Sequence, residues 1–427
     1  RGGGVSNRPT SIRCQRIELD RQGKPFAMWA DDSVGTWEVY LRQWNGMAWV
    51  GVGGSDADGG LSRGTGVDGS SGYYSCPGHL GFDSQNRPYV VWMNYDGNLQ
   101  SVHVRRWSGG TWEELGGSAS GTGISAGQFA YWPKIVIDVF DRVTVMWTRG
   151  SGLYARRWEG SAWAELAGSA SGAGIAGPSA MVYIFSAAPG PDGAPYVAWM
   201  DERSAGPGSE IRLLSWTGSV WQGLGSSNAD GGITGASSYV TYPSVADDGS
   251  GRPAVAWHQD EPDGGTSVHL TRWNGSSWSP LPSPTASGSR PVLAVNPAGE
   301  LYLLWEERIP NGTTPRLAQW TSDGWEDCPL GFVDTGRSTW PALALGPDGQ
   351  AAVSWFEEVT PGVLQAYVVA NLAPWVDAGS AVDAGDGGTS TVPRAYRVGC
   401  DCSQGAGAVP FVLLAMLVFF SRRQRSS

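Results

Sequence analysis

The stretch RRWSGGTWEEL, residues 105–115, holds Trp107 and Trp112 five positions apart around a glycine turn. The pair is not alone. A β-like run ending in Trp precedes it, and that run recurs as KPFAMW, RPYVVW, RVTVMW, APYVAW, RPAVAW, ELYLLW and QAAVSW. These place Trp29, Trp92, Trp147, Trp199, Trp257, Trp305 and Trp355. A second Trp follows 11 to 17 residues later, at Trp44, Trp107, Trp158, Trp216, Trp273 and Trp320. A third lies five residues beyond, at Trp49, Trp112, Trp163, Trp221, Trp278 and Trp325. In the last unit Ala370 takes the second place and Trp375 keeps the third. Twenty of the 23 tryptophans therefore obey one sevenfold pattern.

Each unit reads as four short strands, with apolar segments bounded by Gly, Pro, Asn and Asp. Unit five shows it best: YPSVAD, DGSG, RPAVAWHQ, a loop, SVHLTRW, NGSS and WSPL. Four strands per unit at this repeat length predict an all-β fold, a seven-bladed β-propeller with four-stranded antiparallel blades. A β-solenoid or two smaller barrels are the alternatives, and strand swapping at an end would give six or eight blades. The tetrapeptides inside the Trp pairs, such as NGMA and NGSS, are hairpin turns. A two- or a four-residue loop puts both rings on one face, because strand side chains alternate. Each ring buries roughly 200 Å², so the pairs are expected to pack neighbouring blades.

Composition narrows the function. The 427 residues carry 63 Gly, 27 Pro and 11% aromatics, which suits turns and strands and not disorder. With a net charge of −11 the chain lacks the basic patch that a nucleic-acid partner needs. There is no HExxH, P-loop or GxSxG signature and no EF-hand order, so no metal, cofactor or catalytic residue is expected. The glycine-rich crossovers, such as GGSDADGGLS with Asp56 and Asp58, read as tight connections.

In a propeller meander one face carries the hairpin turns and the other carries the second-to-third loops and the crossovers. The hairpin turns are plain, and their DxxG lacks the full order of the sialidase Asp-box. The other face is richer. Carboxylates follow the first Trp of six of the seven units: Asp31, Asp32, Asp96, Asp201, Glu202, Asp260, Glu307 and Glu357. Aromatics precede the innermost strands, among them Tyr73, Tyr74, Tyr131, Tyr183, Tyr239 and Tyr242. The three tryptophans outside the repeat, Trp37, Trp132 and Trp340, map to this face. Carboxylates bond hydroxyls and flat rings stack on sugar faces, so the expected partner is a polysaccharide, another polar extracellular ligand or a surface protein. The plainer reading is that the carboxylates solvate strand ends and the rings wedge blades apart. The alternatives are a glycoside hydrolase, sialidase-like if Arg149, Arg203, Arg308 and Arg337 converge, or a purely structural surface protein.

Composition divides the chain into a tail (1–8), the propeller (9–376), an Asp/Ala/Gly linker (377–397) and a C-terminal segment (398–427). That segment reads VGCDC, an apolar run from Ala408 to Phe420 expected as a short hydrophobic helix, and then Arg422, Arg423 and Arg425. This order resembles the MYXO-CTERM sorting signal of myxobacterial surface proteins. The resemblance implies export, a membrane and a sorting protease as partners, and display at the cell surface or outer membrane. Gly399, Cys400 and Cys402 would form the processing motif, with Arg422 and Arg423 in the basic end. The repeats resemble a widespread bacterial set, D-x-x-G-x-P-x-V-A-W…V-R-R-W-N-G-x-x-W-x-x-L-G, which implies a propeller and no particular activity. No leader opens the chain at Arg1, so a signal peptide is expected to be removed or to lie upstream. In an oxidising compartment Cys14 and Cys76, at matching points of neighbouring inner strands, are expected either to form a disulfide or to stay as two buried thiols. Cys328 is left over.

Overall fold

The computed structural model describes residues 12–31, 34–62, 78–96, 98–127, 129–202, 208–235, 238–330, 338–360, 363–370 and 414–415. These form four-stranded antiparallel sheets in which sequential strands pair as simple meanders. The first is Ile12–Leu19, Pro25–Asp31, Glu38–Trp44 and Trp49–Gly51. Among the described residues there is no α-helix, only three single-turn 3-10 segments.

Six sheets draw all four strands from consecutive chain. A seventh has three, Ser338–Leu345, Ala351–Thr360 and Val363–Ala370, and its fourth place is held by Leu414–Ala415. The expected place of Trp375 in the seventh strand set lies outside the described residues. One expectation is corrected. Where a hydrophobic helix was expected, the described pair Leu414–Ala415 is a strand bonded to Tyr367 and Val368. The third strand's edge presents unpaired N–H and C=O groups, and an apolar extended segment satisfies them. Nothing else of the expected C-terminal segment lies among the described residues.

Innermost strands pack in sequence order, and that of the first sheet meets that of the last. At this closure Ile17, Leu19, Trp29 and Tyr40 cluster with Ala344, Ala352 and Val368. The all-β propeller follows: a closed ring of meander sheets whose apolar faces meet between neighbours.

The Trp pairs are direct cross-strand partners, Trp44 with Trp49 and Trp107 with Trp112, and likewise in the next four units. Four-residue loops are thus the rule. Ring centroids in the pairs lie 5.2 to 5.7 Å apart. The outer ring does more than pack. The Nε1–H of Trp112 donates to the carbonyl of Val52 at 2.7 Å, and that of Trp163 to Leu115 at 2.7 Å. Trp221 reaches Leu166 at 3.1 Å, Trp278 reaches Leu224 at 2.9 Å and Trp325 reaches Pro282 at 2.8 Å. Each acceptor belongs to the preceding sheet.

The glycine-rich crossovers are tight because backbone leaves no room. A Cβ on Gly60 would sit 2.2 Å from the Val39 carbonyl oxygen, and one on Gly123 equally close to that of Val102. Both glycines have positive φ, 56° and 57°, which suits a residue without a Cβ. Cys328 is disulfide-bonded, not left over as expected. Its partner is one of four cysteines whose side chains lie outside the described residues, so the Cys14–Cys76 pairing lies outside them too.

Replacing Trp163 with Phe keeps a ring but strands the Leu115 carbonyl. The expected cost is about 1–2 kcal/mol, read as a lower urea midpoint with an unchanged slope.

Candidate functional site

The carboxylates expected to meet a ligand divide sharply. In four sheets the residue two places after the first-register Trp accepts that indole's N–H. Asp31 Oδ2 takes it from Trp29 at 2.8 Å and Asp201 Oδ2 from Trp199 at 3.2 Å. Gln259 does so for Trp257 at 3.3 Å, and Glu307 for Trp305. Asp31 and Asp201 are fully buried. Asp201 also faces Arg212 Nε at 3.3 Å, and Arg212 bonds Glu210 at 2.9 Å. The other oxygen of Glu307 accepts from Thr285 at 2.9 Å. These three carboxylates hold sheets together, because a buried indole N–H needs an acceptor.

Other candidates move as well. Trp37 is half-buried against the seam between the first two sheets. Asp96 caps a turn, accepting from the N–H groups of Asn98 at 2.9 Å and Leu99 at 2.7 Å, which hold its carboxyl below the ordinary range. Asp32, Tyr73 and Tyr74 lie outside the described residues, as does the Glu357 side chain. Arg149 lies over Tyr154, 4.1 Å from the ring centroid, while Arg203 and Arg337 lie outside the described residues.

What the fold brings together sits at the mouth of the ring axis. Trp132, Tyr242, Arg290 and Trp340 each precede a proline and each adopts positive φ, between 47° and 58°. In all four sheets the inner strand shifts register at this point. A bulge with left-handed backbone re-aims a side chain, and a bulky residue held there marks strain of the kind found at functional sites. Three of the four converge. The Arg290 guanidinium lies 4.3 Å from the Trp340 ring centroid and 5.4 Å from that of Tyr242. Tyr242 meets Trp340 edge-on at 5.9 Å and stacks on His258 at 6.0 Å. Glu306 fixes the group, bonding Arg290 at 2.6 Å and the Trp340 backbone N–H at 2.5 Å.

Next to this cluster the surface is open and aromatic. Tyr183 is 48% exposed and Tyr239 is 42% exposed. Burial raises the Tyr239 hydroxyl pKa, and so do the charges of Glu202 and Asp260 and the neighbouring Tyr242 and Tyr183, which puts these groups in one neighbourhood. His258 Nε2 lies 3.2 Å from Asp260. Burial lowers the His258 pKa while Asp260 opposes the shift, so the ring is neutral at pH 7. Glu202, Asp260 and Trp340 thus fall at one site. Tyr131 and Trp132 sit on the third sheet beside the exposed Phe129.

Sequence patterning missed Arg290 and His258. The signal for Arg290 was present: it lies 15 residues before its Trp and precedes Pro291, just as Trp132, Tyr242 and Trp340 do. A separate recess of about 400 Å³, lined by Gly53, Leu61, Arg105 and Trp112, is a seam between sheets. Arg105 bonds the Leu61 carbonyl across it at 2.5 Å.

No family model and no curated protein matches the chain. Among solved structures it is similar to an ulvan lyase, a polysaccharide lyase, at 13% identity and TM-score 0.57, covering 86% of this chain and 95% of that one. The same enzyme bound to -[GlcA(1-4)Rha3S]- gives 13% and 0.52 over 86% and 92%. A lectin from Aleuria aurantia, in complex with α-methyl-L-fucoside, gives 15% and 0.39 over 66% and 86%. At 13% identity the likeness to the lyase shows the propeller fold alone.

Asp201→Asn should destabilise the protein by about 3 kcal/mol, since it leaves Arg212 short of a buried counter-charge. Chemical denaturation reads the loss, and ligand binding by the folded fraction should be unchanged.

Proposed function

We propose that the protein is a non-enzymatic glycan-binding propeller displayed at the cell surface. The observation that carries the reading is the open aromatic floor of Tyr183 and Tyr239 beside Glu202 and Asp260, continued by Tyr242, Arg290 and Trp340. Exposed rings stack on the apolar faces of sugars, and fixed carboxylates accept from hydroxyls. The Arg290–Glu306 bond and the strained X-Pro backbone hold the platform in one geometry before a ligand arrives, which cuts the ordering cost of binding. The solved propellers of similar shape include proteins that act on or bind carbohydrate, in keeping with this reading.

A polysaccharide-cleaving enzyme is the second reading. The neutral His258, stacked on Tyr242 and oriented by Asp260, is the group that favours it, since a neutral imidazole is the form that accepts a proton. The ring itself is read as seven-bladed, in keeping with the contact between the first and last inner strands. The C-terminal Gly399-Cys400-x-Cys402 and its arginines are read as the sorting signal that exports and displays the propeller.

Glycan-array screening followed by calorimetry tests the function. Tyr239→Ala and Trp340→Ala should each weaken the best glycan by about tenfold or more, the value of one lost stacking ring. Absence of any glycan hit, or binding indifferent to both substitutions, would sink the proposal. Release of reducing or unsaturated ends by the wild type, lost in His258→Ala, would instead establish the enzyme. For display, Cys400→Ser is expected to block processing and keep the protein with the membrane fraction in cell fractionation.

A further inference from the structure

The chain carries a net charge of −11, yet its innermost strands are basic. Across the seven of them stand Arg13, Arg16, Lys134 and Arg290 against one carboxylate, Glu18. Register shows the level at which these residues stand. Arg16 pairs with Met28, His79 with Val91 and Lys134 with Met146, each the residue just before the first-register Trp of its sheet. The same place is taken by Ser186, Ser244, Val292 and Ala342 in the remaining sheets. One layer around the axis therefore runs Arg, His, Lys, Ser, Ser, Val, Ala.

Three consecutive sheets thus converge basic groups on one level, and their inner strands are in contact. Arg16 is 21% and Glu18 24% exposed, with 3.7 Å between guanidinium and carboxylate. The Arg16 Nε and His79 Nδ1 atoms are buried and make no hydrogen bond. Such orphaned polar atoms are costly unless something fills the site.

We infer that the axis of the propeller holds an anion site between its first three sheets, in which Arg16, His79 and Lys134 bind an oxyanion such as a sulfate or carboxylate. Arg16 and Lys134 supply charge, and the His79 Nδ1 supplies a donor in the matching tautomer. The oxyanion comes either free from solution or as the acid group of a bound saccharide. The site is separate from the Tyr183–Trp340 platform and stands whether or not that platform binds glycan.

Glu18 gives the site a pH dependence. Burial raises its carboxyl to about 7, while Arg16 and Lys134 pull the other way. His79 is pushed well below its ordinary value by burial and by the same two cations, and so stays neutral. The seventh sheet's inner strand, STWPALAL, brings no ionisable group to Glu18 from the other side. Below pH about 7 Glu18 is protonated and the layer is at its most positive, so the anion binds more tightly. As pH rises through that value Glu18 gains its charge and affinity falls.

Calorimetric titration of the full chain with sodium sulfate, with a uronic-acid oligosaccharide and with a neutral oligosaccharide tests this. Sulfate should bind one to one, more tightly below neutral pH. Arg16→Gln and Lys134→Gln should each weaken it by about tenfold or more, one charge-assisted bond being lost, with melting curves confirming that both variants fold. Glu18→Gln should flatten the pH dependence. If the acidic oligosaccharide weakens in step with sulfate, the saccharide supplies the anion; if sulfate alone weakens, the site takes a free ion. Neutral-glycan binding should not respond to any of these changes. No sulfate binding, or sulfate binding indifferent to both cation substitutions, would overturn the inference.

Discussion

The ring rests on an indole N–H that reaches into its neighbour. A propeller sheet is hydrophobic on both faces, so it is stable only when flanked. Apolar contact alone does not fix how far one sheet slides over the next. The outer Trp of five hairpins, from Trp112 to Trp325, supplies the missing direction, because its N–H finds an acceptor at one carbonyl of the preceding sheet. The same side chain contributes a large area and a directional bond. A Phe in its place would give only the first.

A second use of the indole sets the limits of function. In four sheets the buried first-register Trp needs an acceptor, and the acidic or amide residue two places on provides it. Carboxylates that look like a ligand-binding row are therefore partly consumed by the fold. Those left over, Glu202 and Asp260, stand beside exposed rings. Symmetry builds the scaffold, and departures from symmetry build the site: Arg290 where Trp132, Tyr242 and Trp340 stand in other sheets, His258 and Glu306 at one equivalent place, and three basic side chains in a layer otherwise hydroxylic or apolar.

The repeat was legible in the chain because its cause is local. Trp spacing follows from hairpin length and strand period, so RRWSGGTWEEL announces two cross-strand rings before any tertiary contact forms. The all-β meander follows from the same arithmetic. The seventh unit was least legible where Ala370 breaks the Trp pattern. Only pairing decides what occupies that edge, and Leu414–Ala415 are far away in sequence.

Side-chain fate was not legible, because it depends on what crosses from the next sheet. Asp31, Asp201 and Glu307 look in sequence like Asp96 and Asp260, which do face solvent, and only burial beside an indole separates them. The X-Pro sites were visible as a motif, but that Tyr242, Arg290 and Trp340 would touch while Trp132 stands apart is settled by which sheets are neighbours. The axial layer of Arg16, His79 and Lys134 likewise has no signature along the chain. Its members are dozens of residues apart, and it exists because closing the ring brings the same register of each sheet to one level. Sequence determined the repeating unit through local strand and turn geometry; the closed ring alone decided which of its departures meet.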